Sequence, residues 1–253
     1  FYDLWIVWLL LILFIYINKI QNNSILERNK HNKEIVILSQ YFYPDIASTG
    51  LLMTDLCIGF IKKGFSVRVF TAKPNYDNKI KADTEENYKG IVIKRLFCSR
   101  LNKNNKIGSL INSLTYYISV LSYLLFIDFK GTLLIVSNPP FLPIAGLIIK
   151  FLKGNEFIYL IHDLFPDAGI NLGLFKETSM IAKLWDLFNK HIFRSSKYIV
   201  VLGNSMKEVI INKIIKFESN KGKYFGLFNK IKVMHNWEND DLWIKIAKKD
   251  NQF

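Results

Sequence analysis

Seven short runs rich in Val, Ile, Leu and Phe, separated by stretches of helical periodicity, constrain this chain more than any other feature. They cover residues 35–39, 66–71, 91–97, 132–137, 157–161, 198–202 and 231–234. Runs this short and this continuously apolar predict strands buried on both faces, as in a parallel sheet. Between them the spacing predicts helices. Leu51–Lys63 places Leu52, Leu56 and Phe60 on one face, with Ser48 or Thr49 to cap it and Gly64 to end it. A second helix covers Ile107–Ile127, opened by Gly108 and Ser109. A third starts at Asn138-Pro139-Pro140, where proline in the first turn is tolerated, and runs to about Leu152. Two more cover Glu177–Phe193 and a segment from Asn204 or Ser205 to Lys216, while residues 73–90 read as one polar loop. Strands alternating with helices predict an α/β, Rossmann-like parallel sheet covered on both faces. Ligands of such sheets bind outside the carboxyl ends of the strands, so the loops after the first, fourth, fifth and sixth predicted strands are where chemistry is expected.

The loop after the first strand, SQYFYPDIASTG (residues 39–50), is not a phosphate cradle. Its only glycine is Gly50, and neither GxGxxG nor GxxxxGK[ST] occurs, so backbone N–H groups have no close approach to a pyrophosphate. Tyr41, Phe42 and Tyr43 offer apolar and stacking faces, Pro44-Asp45 makes a turn, and Ser48 to Gly50 begin the helix. No GxSxG elbow or HExxH pair is present, and His31, His162, His191 and His235 are dispersed, so neither a serine triad nor a metal site is expected. Cys57 and Cys98 lack paired spacing, which fits a reducing compartment. The stretch YLIHDLFPDAG puts His162 and Asp163 directly after the fifth strand. Two readings stand side by side: caps of the strand end and turn, or an imidazole–carboxylate pair able to polarise a hydroxyl. Pro166 and Asp167 read as turn residues.

The formal net charge is +13, mostly lysine amid abundant asparagine and isoleucine. Codon bias accounts for that pattern, and so does attraction to an anionic surface; no nucleic-acid-binding signature is present. Leu4–Ile17 is uninterruptedly apolar, carries Trp5, Trp8 and Tyr16, and is followed by Lys19, Arg28, Lys30 and Lys33. These flanks predict a membrane anchor over residues 1–18 and a polar linker over 19–33, with the following chain on the cytoplasmic side. A buried core helix and a signal-peptide core are the competing readings, the latter without a small-residue cleavage site. Ile107–Ile127 is apolar almost all round, the pattern of a helix that is buried, partnered or facing a membrane.

Six motifs follow one another from Glu34 to Asp241: ILSQYFYPDIASTGLLMTDL, GFSVRVFTAKPNY, IVSNPPFLPIAGLIIK, HDLFPDAGINLGLF, YIVVLGNSMKEVI and KIKVMHNWEN. In that order they resemble the N-terminal, acceptor-side domain of glycosyltransferase family 4, in its colanic-acid and O-antigen-like branch. The resemblance implies one half of a GT-B enzyme, in which two Rossmann-like domains face each other across a cleft. Residues 34–241 would be the acceptor domain and 242–253 the start of the interdomain linker. It also implies a retaining transferase working on a nucleotide-sugar and a lipid-linked saccharide acceptor, at the cytoplasmic face of the cell membrane, without nucleic acid. Carried over residue by residue, His162 and Asp163 would be catalytic, which brings their functional reading forward. Tyr41, Phe42, Pro44, Asp45, Ser48, Thr49, Gly50, Asn138 and Pro139 would line the acceptor side, and Asn236-Trp237 would enter the hinge. No metal and no cofactor is expected on this chain, the nucleotide-sugar belonging to the other half. Two departures matter. The usually Gly-rich loop is Ala47-Ser48-Thr49-Gly50, and the acidic E-x7-E pair of the donor domain does not occur. This chain by itself is therefore expected to bind acceptor or membrane and to transfer little. The alternative is a non-catalytic, membrane-bound module that binds an acceptor or a partner.

Overall fold

The computed structural model describes residues 34–45, 47–74, 82–102, 105–217 and 226–236. The expected anchor and linker (1–33), Trp237 and residues 242–253 lie outside these. The elements in order are β1 (Glu34–Leu38), α1 (Ser48–Lys62), β2 (Ser66–Ala72), β3 (Glu85–Tyr88), β4 (Ile91–Leu96), α2 (Lys106–Phe126) and β5 (Thr132–Val136). There follow α3 (Leu142–Lys153), β6 (Phe157–Ile161), α4 (Asp167–Asn171), α5 (Met180–Ser195), β7 (Tyr198–Val201), α6 (Asn204–Phe217) and β8 (Ile231–Val233).

The sheet runs β3-β4-β2-β1-β5-β6-β7-β8. Every neighbouring pair is parallel except β3 with β4, whose Tyr88 stands opposite Ile91. The expected parallel sheet is present, with one antiparallel edge strand, β3, in the segment read as polar loop. Its sequence, EENY, has no apolar run because it is an edge strand with exposed and half-buried positions alternating. A two-residue hairpin turn joins it to β4, with Lys89 at φ 52° and Gly90 at φ 85°. Two successive positive φ values are what such a turn requires.

Alternate strand residues feed opposite layers, so both faces are covered as expected. Val36 and Leu38 pack with Tyr116, Val120 and Leu124 of α2, while Ile37 packs with Met53 and Cys57 of α1. Helices α3, α5 and α6 join the α2 layer through Ile149, Ile192 and Ile210. The approach of α3 is close at Gly146, where an added Cβ would meet Ile135 Cδ1 at 2.5 Å and the Phe157 ring at 3.1 Å. Gly146→Val is therefore expected to lower stability by roughly 1–3 kcal/mol through overpacking, read as a lower urea midpoint with unchanged m-value.

Several helix starts differ from expectation. Neither Ser48 nor Thr49 caps α1; Ala47 holds the cap position and makes no side-chain bond. Asn105 caps α2 by accepting from Ile107 N at 3.1 Å, and Gly108 sits in the first turn because Asn102 O leaves no room for a Cβ. Helix α3 begins at Leu142 with Pro143 in its first turn, so Asn138-Pro139-Pro140 forms the preceding loop. Ser179 caps α5 by accepting from Ala182 N at 3.2 Å, so the helix begins at Met180, three residues later than Glu177.

Candidate functional site

From β1 the chain steps outward to β2 and β4; from β5 it steps the other way to β6, β7 and β8. Connections that diverge in this way leave a crevice at the carboxyl ends of the two central strands. The loops after β1 (residues 39–47) and β5 (137–141) therefore flank the switch point, and the β6 loop, with His162 and Asp163, lies one strand further on. Three cis X-Pro bonds occur here, one per loop: Tyr43-Pro44, Asn138-Pro139 and Phe165-Pro166.

The β1 loop is held from beneath at almost every step. Ser39 is buried and donates to Tyr41 O at 2.8 Å. The carbonyl of Gln40 accepts from Thr71 Oγ1 at 3.1 Å and from Ala72 N at 3.2 Å, and its side-chain oxygen accepts from Ser113 at 3.3 Å. Phe42 is buried with the α1 layer, so its ring serves the core. Tyr43 stacks on Tyr88 with ring centroids 3.7 Å apart. Beneath that pair Arg95, with its side chain fully buried, donates to Tyr43 O at 2.9 Å and Asp83 O at 2.7 Å, and pairs with Glu86 at 2.8 Å. Asp45 is buried, its N–H bonded to Phe42 O at 2.9 Å. Gly50 lies under this turn, where a Cβ would stand 3.0 Å from Asp45 O. Among the residues expected on the acceptor side, Tyr41, Pro44 and Thr49 are half-buried and Ser48 is exposed.

The other two loops are joined by one hydroxyl. Ser137, buried at the end of β5, accepts from His162 N at 3.0 Å and Asp163 N at 3.1 Å. The turn that presents the His-Asp pair is thereby fixed against the neighbouring strand. Beside it Pro139 is buried, and Asn138 is half-buried. His162 is half-buried and Asp163 exposed. Desolvation lowers the His162 pKa from its ordinary value, opposed by the negative charge of Asp163. A neutral imidazole at neutral pH, beside a carboxylate and outside a strand end, can accept a proton from a hydroxyl or hydrogen-bond to one. Behind the pair, Asn189 donates to Phe165 O at 2.6 Å, and Lys213 sits 3.0 Å from Asp167 and 2.9 Å from Asp186. Asp167, expected as a turn residue, thus opens α4 and ties it to α5 and α6.

Two expected outcomes arise directly. Ser137→Ala leaves two strand-end N–H groups without their acceptor and should cost about 1–3 kcal/mol, while amide exchange at His162 and Asp163 quickens selectively. The depressed His162 pKa also has a sign. The unfolded chain takes up this proton at higher pH than the folded one, so the contribution falls as pH drops through the ordinary histidine value near 6.5. His162→Gln should flatten that part of a stability–pH curve measured from pH ~7 to ~5.

Sequence reasoning placed His162, Asp163 and the β1 loop at one edge of the sheet. It missed Ser137, Arg95 and Tyr88. The signal for the last two was the Tyr88-Lys89-Gly90-Ile91 hairpin, whereas nothing local distinguishes Ser137 from any residue ending a strand. Trp237 lies outside the described residues, and its neighbour Asn236 is exposed beyond β8. Among the described residues no group of three or more His, Cys, Asp or Glu side chains could hold a metal.

No family model matches the chain. Over 78 residues, 31% of this chain and 20% of the relative, it is 26% identical to the curated protein "Probable glycosyltransferase WbjE" of Pseudomonas aeruginosa. Among solved structures it is similar to Anabaena Alr3699/HepE in complex with UDP and glucose, at 13% identity and a TM-score of 0.48, over 86% of this chain and 48% of that one. The complex of the same protein with UDP-glucose gives 14% identity and a TM-score of 0.47, over 85% and 47%. The chain thus spans about half the length of those solved proteins, and its match spans a fifth of the curated relative.

Proposed function

We propose that this chain is the acceptor-side half of a GT-B glycosyltransferase of the family-4 type. It would hold a lipid-linked saccharide at the cytoplasmic face of a membrane, while a second half supplies the nucleotide-sugar and the product retains the donor's anomeric configuration. The observation that carries the reading is the gathering of three of the six resembling motifs, from the β1, β5 and β6 loops, around one switch-point crevice with His162-Asp163 fixed at its side by Ser137. The partial identity to a glycosyltransferase supports the same reaction class. The absence of a glycine cradle after β1 supports the acceptor rather than the nucleotide side. In this reading residues 1–18 attach the chain to the membrane.

Titration calorimetry on the chain tests the assignment. A soluble short-chain polyprenyl-diphosphate saccharide should bind, and UDP-glucose should not. Binding of UDP-glucose with no binding of the saccharide would reverse the assignment. Binding of the saccharide with no transfer, once the nucleotide-sugar half is present, would favour the non-catalytic module instead.

A further inference from the structure

Helix α2 is 21 residues long, long and apolar enough to cross a membrane, and it has two unlike sides. The inner side is seated on the sheet by Gly108, Asn112, Tyr116, Val120 and Leu124, with Tyr116 donating to Phe70 O at 2.7 Å. The outer side exposes Ile107, Leu110, Leu114, Ile118 and Phe126, the last 90% accessible. The strap before the helix extends this surface. Asn112 clamps it by donating to Leu101 O at 2.9 Å and accepting from Leu101 N at 3.0 Å, leaving Leu101 exposed beside the first turn. An uncharged apolar strip about 30 Å long is larger than a monomer in water ordinarily leaves open.

Two observations identify what covers it. The first is charge. Between Glu86 and Asp128 the chain carries six basic residues and no acidic one, and Arg100 and Lys106, which flank the start of α2, are exposed. The strip itself offers no charged side chain to set register with a protein partner. An apolar strip with a basic end is instead complementary to an anionic lipid leaflet. The second is where the chain enters. Glu34 begins β1 against the connection that leaves α2: its carboxylate accepts from Lys130 N at 3.3 Å, and its carbonyl lies 2.6 Å from where a Gly131 Cβ would stand. Residues 1–33 therefore join the domain beside the end of α2.

We propose that the outer side of α2, with Leu101, lies on an anionic lipid surface as a second membrane contact. This inference rests on the membrane attachment proposed above. A single apolar anchor and a surface contact cooperate because the first raises the local concentration of the second at the bilayer. The consequence is orientation, with α2 held flat on the lipid.

The full chain carrying Cys98→Ser and Ile118→Cys, labelled at position 118 with an environment-sensitive NBD probe, tests it. Cys57 is buried with its thiol pKa pushed up, so it stays unlabelled. With phosphatidylcholine–phosphatidylglycerol vesicles the emission should shift to the blue and be quenched by doxyl-labelled lipid. The same probe at Asp55→Cys, exposed on α1 across the sheet, should do neither. Adding Leu114→Glu should abolish the shift at 118 while the protein still sediments with vesicles. Sedimentation without any shift at 118 would overturn this inference and leave the anchor reading standing. No sedimentation at all would remove both. A blue emission already present without vesicles would show the strip covered by protein, and would overturn the inference as well.

Discussion

Glu86→Ala is expected to lower the unfolding free energy by about 3 kcal/mol, because it leaves a buried guanidinium without its counter-charge. Arg95 has no side-chain exposure, and among the described residues its carboxylate partner is Glu86, on the edge strand β3, at 2.8 Å. Two carbonyls, of Tyr43 and Asp83, remain as acceptors after the substitution. They satisfy donors but do not neutralise the charge, which keeps the cost near the low end of the range for broken buried pairs. The asymmetry of the pair makes the test sharp. Arg95→Met alone frees a carboxylate that is already 29% exposed and can turn to water, so it should cost less than Glu86→Ala. Adding Arg95→Met to Glu86→Ala should return a large part of the loss, since no buried charge is then left. Urea unfolding followed by circular dichroism measures all three. A Glu86→Ala variant as stable as the parent would mean that the two carbonyls suffice. The same variants bear on the site, because Arg95 holds Tyr43 O and Tyr43 stacks on Tyr88. Near-ultraviolet dichroism from that ring pair should weaken together with stability.

What could be read from the sequence followed how strongly each element is buried. The central strands β1, β5 and β6 are shielded on both faces, so their residues form continuous apolar runs that no helix pattern imitates at that length. Strand β3 has one pairing partner and alternating exposure, so Glu85–Tyr88 was indistinguishable from loop. With it went the Arg95–Glu86 pair and the Tyr43–Tyr88 stack, both of which cross from the edge hairpin to the β1 loop. Helix caps were misjudged for a related reason. A serine near a helix start has the chemistry to cap, but at Ser48 the chain already lies inside the first turn, and Ala47 sits where the cap would be. For the candidate site, position was legible and support was not. That His162 and Asp163 follow a strand is written in the local sequence. That Ser137, 25 residues earlier, holds their N–H groups depends on β5 and β6 being neighbours. Phe42 and Gly50 illustrate the same limit: both lie in the resembling motif, and the structure shows them packed beneath the loop.

Under the proposed function, His162→Ala should reduce sugar transfer by roughly 10²–10⁴-fold, the range for removing a general base or an equivalent proton acceptor. The measurement is transfer of radiolabelled sugar to a lipid-linked acceptor by a protein carrying both halves, with stability checked separately by thermal unfolding. The two readings of the His-Asp pair diverge here. Backbone capping at this turn is already supplied by Ser137, whose hydroxyl accepts from both N–H groups. The His162 side chain is therefore not needed to hold the turn, and its loss should leave the fold intact. A variant that keeps both its stability and its transfer rate would return the pair to a structural role. Asp163→Asn provides the finer test. The Asp163 carboxylate raises the His162 pKa against the larger lowering effect of burial, so its removal should lower that pKa further. Activity that needs a neutral imidazole would then persist to lower pH, and the acidic limb of the kcat/KM profile should move down. Ser137→Ala should do something different: the pKa-dependent limb stays in place while kcat falls, because the imidazole keeps its electrostatic surroundings and loses its fixed position. A shift of the limb by Asp163→Asn but not by Ser137→Ala would separate the group that moves a proton from the group that positions it.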